Sequence, residues 1–205
     1  MKSTMVTCII AVSVFGLLSA ARAHPQSSDN GASEGPDKFR VTSTTFQNGA
    51  TLPLSMVYNQ CPAYPGGEDQ SPQLSWTHAP PGTRSFVVIA YDVTASFTHW
   101  GMYNVSGKAT GLPENAGVAG STDGQQVSND FGDISYDGPC PPPQLSPVSH
   151  HYVFTVYALD IELPKLPTFG DFPPGAEALY HALIWAGRHG HILETASTSG
   201  FFPAK

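Results

Sequence analysis

Asp92, His99 and His150 would form a carboxylate–imidazole cluster if the chain brought them to one place. Asp92 closes the apolar run Phe86–Tyr91 (FVVIAY), and His99 opens HWGMYNV after six intervening residues. If these runs pair as a hairpin, Asp92 and His99 share one end of a sheet. His150 stands at the mouth of a third run, Tyr152–Leu159 (YVFTVYAL). With that strand alongside, one rim gathers a carboxylate, two imidazoles and the stiff loop Tyr136-Asp137-Gly138-Pro139-Cys140-Pro141-Pro142-Pro143. Proline-locked backbone beside polar strand ends suits a preformed binding site. In such a site amides near Gly138 would donate to an anion. A protonated His99 or His150 would add a charge-assisted bond, and Asp92 would orient an imidazole or accept from a ligand amine.

Plainer readings stand beside each residue. A strand-end Asp often caps its turn, and His99 beside Trp100 could be a core histidine bonded to backbone. His150 and His151 alternate along their strand, so only one can face the rim and the other is expected to face solvent. The rim could in principle run acid–base or metal-assisted hydrolysis. His181, His189 and His191 lack the His-x-x-x-His zinc spacing, so neither metal nor cofactor is expected, and the pattern reads as recognition without turnover.

The elements that must position these groups are mostly short strands. Phe39–Phe46 (FRVTSTTF) alternates and is rich in β-branched residues. Leu74-Ser75-Trp76 is bounded by prolines, and the unbroken apolarity of Phe86–Tyr91 predicts a strand covered on both faces. With 19 prolines and 20 glycines punctuating the rest, the expectation is an all-β architecture of the sandwich kind. One helix is predicted after Pro173-Pro174-Gly175, with a stripe at Ala176, Leu179, Tyr180, Leu183 and Ile184. Gly187 and Gly190 should bend or stop it, and Ile192-Leu193 could add a second short turn.

Residues 1–23 read as a signal peptide: Lys2, the apolar run Cys8–Leu18, then Ala21-Arg22-Ala23 as a cleavage site, giving a mature chain from His24. That run is too short for a bilayer. Residues 24–37 are polar and small and read as a flexible lead-in, followed by one domain over 38–205. Removing Lys2 and Arg22 leaves seven of the nine basic residues against 16 acidic ones, about −9 with neutral histidines. Such a balance excludes a nucleic-acid surface and a polybasic membrane patch. Two cysteines follow the leader, Cys61 and Cys140. In an exported, periplasmic or secreted chain they read as one disulfide, with two free buried thiols as the duller alternative.

Together these residues resemble the phosphatidylethanolamine-binding protein (PEBP) family, in its bacterial Raf-kinase-inhibitor-like branch. The resemblance rests on Ser71-Pro72-Gln73-Leu74-Ser75-Trp76, Ala79-Pro80-Pro81-Gly82, Tyr91-Asp92, His99-Trp100, Asn129-Asp130-Phe131-Gly132, Gly138-Pro139-Cys140-Pro141-Pro142, His150-His151-Tyr152 and Gly190-His191-Ile192-Leu193. It implies a mainly β fold: a central antiparallel Greek-key sheet, a smaller second sheet and C-terminal helices. It also implies a pocket for phosphate, a phosphorylated headgroup or acetate at Asp92, His99, Gly138, Pro139, Pro141, His150 and Tyr152, and supports the Cys61–Cys140 pairing. Relatives include inhibitors of kinases and serine carboxypeptidases, so a protein-level effector with a periplasmic or extracellular partner is the alternative; homodimers occur among bacterial relatives. The chain departs from the family at Asp92-Val93-Thr94-Ala95-Ser96, where the usual Asp-Pro-Asp-x-Pro loses its second carboxylate to Thr94, which suggests a looser wall. It departs again at His151, where an Arg is common, and at the C-terminus, where Phe201 and Phe202 replace a Tyr.

Overall fold

The large sheet is built on β4 (Ser85–Asp92), the strand foreseen as apolar throughout. Its alternate residues serve two cores: Phe86, Val88 and Ala90 face one, Val87 and Ile89 the other. The computed structural model describes residues 37–143 and 148–204; the expected signal peptide and all but the last residue of the expected lead-in lie outside them.

Six strands form the large sheet in the order β2 (Ala50–Thr51), β9 (Ile192–Pro203), β8 (Ser149–Leu159), β4, β5 (Phe97–Ser106), β7 (Gln125–Gln126). All neighbours pair antiparallel except β2 with β9. A small sheet holds β1 (Arg40–Thr42), β3 (Leu74–Thr77) and β6 (Gly111–Leu112) in that spatial order. It packs on one face of the large sheet through Val41, Leu74, Trp76 and Leu112, with Trp76 4.9 Å from Phe86 ring to ring.

Helix α1 (Ala176–Arg188) covers part of the other face. Its buried stripe is Ala176, Leu179, Leu183 and Ala186; each fully buried leucine contributes about 2 kcal/mol. Tyr180 sits at the edge of the stripe and Ile184 is 51% exposed, so the predicted stripe is turned by about one residue. Gly187 lies inside the helix, and Gly190, at φ +75°, is the residue that ends the excursion. No second helical turn follows. Ile192-Leu193 begins β9, and α1 is the one α-helix among the described residues.

Two further expectations change. The Phe39–Phe46 strand shrinks to β1 because hydroxyls beyond it bond to one partner, Gln73, in place of a ladder: Ser43 Oγ donates to its carbonyl at 2.6 Å and Thr45 Oγ1 accepts its amide at 3.0 Å. The 12-residue β9 was not foreseen as a strand. Its inner face is Ala196, Thr198, Gly200 and Phe202, and Gly200 lets Leu52 close in, since a Cβ there would lie 2.4 Å from Leu52 Cδ2.

Candidate functional site

Strand register brings the cluster together. Asp92 ends β4 opposite Phe97 of β5 and Tyr152 of β8, so Asp92, His99, His150 and Tyr152 occupy one end of three adjacent strands. All four are buried. They face a cavity of about 180 Å³ whose remaining wall is Ala95, Phe97, Phe131, Cys140, Pro141 and Pro142.

Asp92 does both jobs that its sequence position allowed. Oδ1 accepts the amides of Thr94 (2.8 Å) and Ala95 (3.1 Å), capping the β4–β5 turn. Oδ2 accepts from His150 Nδ1 at 2.6 Å. Thr94 makes one tie of its own: its hydroxyl accepts the amide of His151 at 3.0 Å and links the turn to β8.

His99 Nδ1 lies 2.6 Å from the Asp137 carbonyl. A carbonyl can only accept, so Nδ1 carries the hydrogen and Nε2 presents a lone pair when the ring is neutral. Burial pushes the ring's pKa down, while the Asp137 carbonyl and the Asp92 charge oppose the shift. Tyr152 packs edge-on against His99 at 5.2 Å. Burial first, then the Asp92 charge, holds its phenol well above the usual range, so the O–H stays a donor.

Phe131 closes the far side, stacked on Tyr58 (5.3 Å) and edge-on to Phe97 (4.7 Å). It is presented by Asn129, whose Oδ1 accepts the amides of Phe131, Gly132 and Asp133 while Nδ2 donates to Asp137 Oδ2 at 2.7 Å. Asn129 was part of a sequence motif, but its bracing role was missed.

The proline loop takes a different part from the one expected. Pro141, Pro142 and Cys140 line the cavity, whereas Gly138 and Pro139 do not. The Gly138 amide is already committed: it donates to Asp69 Oδ1 at 2.6 Å, so the expected anion nest there is corrected. Gly138 is needed for close approach, because a Cβ would fall 1.8 Å from the Met56 carbonyl oxygen. The same segment is held by Tyr136 Oη on the Met56 carbonyl (3.0 Å), by Tyr58 N on the Pro139 carbonyl (3.2 Å), and by the disulfide Cys61–Cys140.

His151 faces away from the cup, as expected, but is half-buried, not fully open to solvent. It turns to the opposite face of β8, stacks on Phe201 at 4.5 Å, and its Nε2 is buried with no hydrogen-bond partner among the described residues. Phe202 points inward and packs edge-on to Tyr64 at 4.6 Å. Among the described residues no three of His, Cys, Asp and Glu are grouped to hold a metal ion. Gly31-Ala32-Ser33-Glu34-Gly35 spells the Gly-x-Ser-x-Gly of a hydrolase elbow but lies outside the described residues.

Residues 42–202 match the family model for phosphatidylethanolamine-binding proteins. The chain belongs to that family. It is 35% identical over 171 residues to YbhB of Escherichia coli K12, spanning 80% of this chain and 99% of YbhB. To YbcL of the same organism it is 33% identical over 175 residues, spanning 82% and 83%. The crystal structure of E. coli YbcL, described as a new member of the mammalian PEBP family, superposes with a TM-score of 0.67, covering 82% of this chain and 99% of that one. A Chlamydia trachomatis PEBP homolog gives 0.61 at 30% identity, covering 81% and 97%.

No helix among the described residues is long and apolar enough to cross a membrane.

Proposed function

We propose that the cavity binds a small anion or a phosphorylated headgroup and releases it unchanged. The observation that carries this reading is the Asp92–His150 bond at 2.6 Å beside His99, at the floor of a ready-made, mostly apolar cup. At about 180 Å³ the cup is smaller than pockets for drug-sized ligands, which run from roughly 300 Å³ upward. It suits phosphate, acetate or a headgroup, with any acyl chain left outside.

The described residues lining the cup include no Lys or Arg. Anion binding therefore draws on imidazolium: each ring's Nδ1 is engaged, and Nε2, when protonated, donates to an anion oxygen. A ligand carrying an amine beside its phosphate would also meet the Asp92 carboxylate. Calorimetric titration with inorganic phosphate, phosphoethanolamine and acetate tests the reading. Binding should be present in the native protein and weakened at least about tenfold in His150→Ala; equal affinity in both proteins would refute it. We further read the chain as exported, with mature protein beginning at His24. Intact mass of the protein recovered outside the cytosol tests this, and retention of residues 1–23 would count against it.

One observation favours the second reading, a protein-level effector. Phe169 and Phe172 are 86% and 71% exposed on one turn. Inhibition of a serine carboxypeptidase that persists in His99→Ala/His150→Ala but disappears in Phe169→Ser/Phe172→Ser would support it; the reverse pattern would return the activity to the cup.

A further inference from the structure

The disulfide forms part of the cup's own surface. Cys140 lines the cavity beside Pro141 and Pro142 and is half-buried, whereas its partner Cys61 is 3% exposed and belongs to the core. Cys61 is fixed on both sides: its amide donates to the Tyr58 carbonyl at 3.0 Å, and its carbonyl accepts the Tyr64 amide at 3.1 Å. The other end of the bridge is held differently. Among the described residues, the hydrogen bonds that fasten the loop fall before Cys140, at Tyr136, Asp137, Gly138 and Pro139. Pro141 and Pro142 have no amide hydrogen with which to add another. The bridge is therefore what ties the cavity-lining stretch 140–142 to the core. We propose that Cys61–Cys140 is a redox latch opened from within the cup: a small-molecule thiol enters the cavity, reduces the bridge at Cys140 and frees that stretch of the wall.

A thiolate attacks one sulfur of a disulfide and expels the other. With Cys61 in the core, Cys140 is the end within reach, and the cavity is the way in. The entering thiolate bonds to the Cys140 sulfur, the Cys61–Cys140 bond breaks, and Cys61 leaves as a thiolate. A second thiolate attacks the outer sulfur of the mixed disulfide, releases the external disulfide and leaves Cys140 as a thiolate. Each cysteine takes up the proton that an attacking thiol gave off. Two thiols are oxidised to one disulfide, and the bridge is reduced to two thiols.

Size decides which thiols can use this route. A cavity of about 180 Å³ admits a two-carbon thiol and excludes a tripeptide. Ala95 lies exposed on its lining, where a larger side chain would narrow the entrance. The inference uses only the shape of the cup and does not depend on what the cup binds. Cutting the bridge leaves the ties at 136–139 in place, so His99 stays held by the Asp137 carbonyl while 140–142 move.

The test is the rate of bridge reduction, read by alkylating the freed thiols and measuring intact mass. The chain unfolded in denaturant, with both sulfurs open, corrects for each thiol's own reactivity. Relative to that reference, 2-mercaptoethanol should reduce the native chain at least about tenfold faster than glutathione does. Ala95→Trp should slow reduction by 2-mercaptoethanol by about tenfold. Reduction through unfolding would ignore thiol size. The same native-to-unfolded ratio for both thiols would therefore overturn the route, and that result needs no variant to fold. An unchanged rate in Ala95→Trp would overturn it too. In the reduced chain, proton NMR should show the rings of Phe97, Phe131 and Tyr152 shifted and those of Trp76 and Phe86 unmoved. An unchanged spectrum, or equal shifts at Trp76 and Phe86, would overturn the latch.

Discussion

The two walls of the cup are held by different physics. The sheet wall, carrying Asp92, His99, His150 and Tyr152, is fixed by the ladder of β4, β5 and β8. Pairing along long strands is redundant, so one side chain can change without the backbone moving. The loop wall, residues 136–142, lies outside the strands and is kept in place by a few distant ties: a disulfide spanning 79 residues, a glycine pressed on Met56, and the Asp69 carboxyl. Losing any one of them should displace the whole wall. The site is thus rigid on one side by repetition and on the other by a handful of long-range contacts.

That contrast can be broken from the loop side first. Removing the bridge with Cys61→Ser/Cys140→Ser should lower stability most, by about 4 kcal/mol in the loop-closure model, measured by denaturant unfolding. Gly138→Ala follows, at about 3 kcal/mol, because its methyl has only backbone to displace. The same experiment should show cup binding lost along with stability. On the sheet side, His150→Ala leaves Asp92 buried with one oxygen unpaired and should cost about 2 kcal/mol. Its amide spectrum should stay native-like around β4 and β5. The smallest change is Thr94→Val, which removes one hydroxyl bond to the His151 amide. About 1 kcal/mol is expected, with faster hydrogen exchange confined to the turn at 93–96. A large, global loss from Thr94→Val, or a negligible one from Gly138→Ala, would reverse the assignment of rigid and dependent walls.

The same division governs what could be read in advance. The convergence of Asp92 and His99 was legible because a hairpin with six intervening residues leaves little freedom, and an unbroken apolar run such as Phe86–Tyr91 announces a strand between two cores. Gly138 was misread because its partner, Asp69, is far away in sequence and nothing local says that the amide is taken. Strand β9 was missed because its inner face uses Ala, Thr and Gly, which pack well between β2 and β8 but give little hydrophobic alternation. His151 carried no sign that Phe201 would cover it, since that contact comes from the register of β8 with β9.

The central claim, a preformed cup that grips a small anion through its imidazoles, is tested most directly by the affinity for inorganic phosphate at pH 4.5 and pH 8. A protonated His99 donates to phosphate and a neutral one presents a lone pair, and burial lowers the His99 pKa, so the ring takes up its proton below the ordinary histidine range. The account therefore predicts that binding weakens by about tenfold or more over this interval. Equal affinity at both pH values would contradict it.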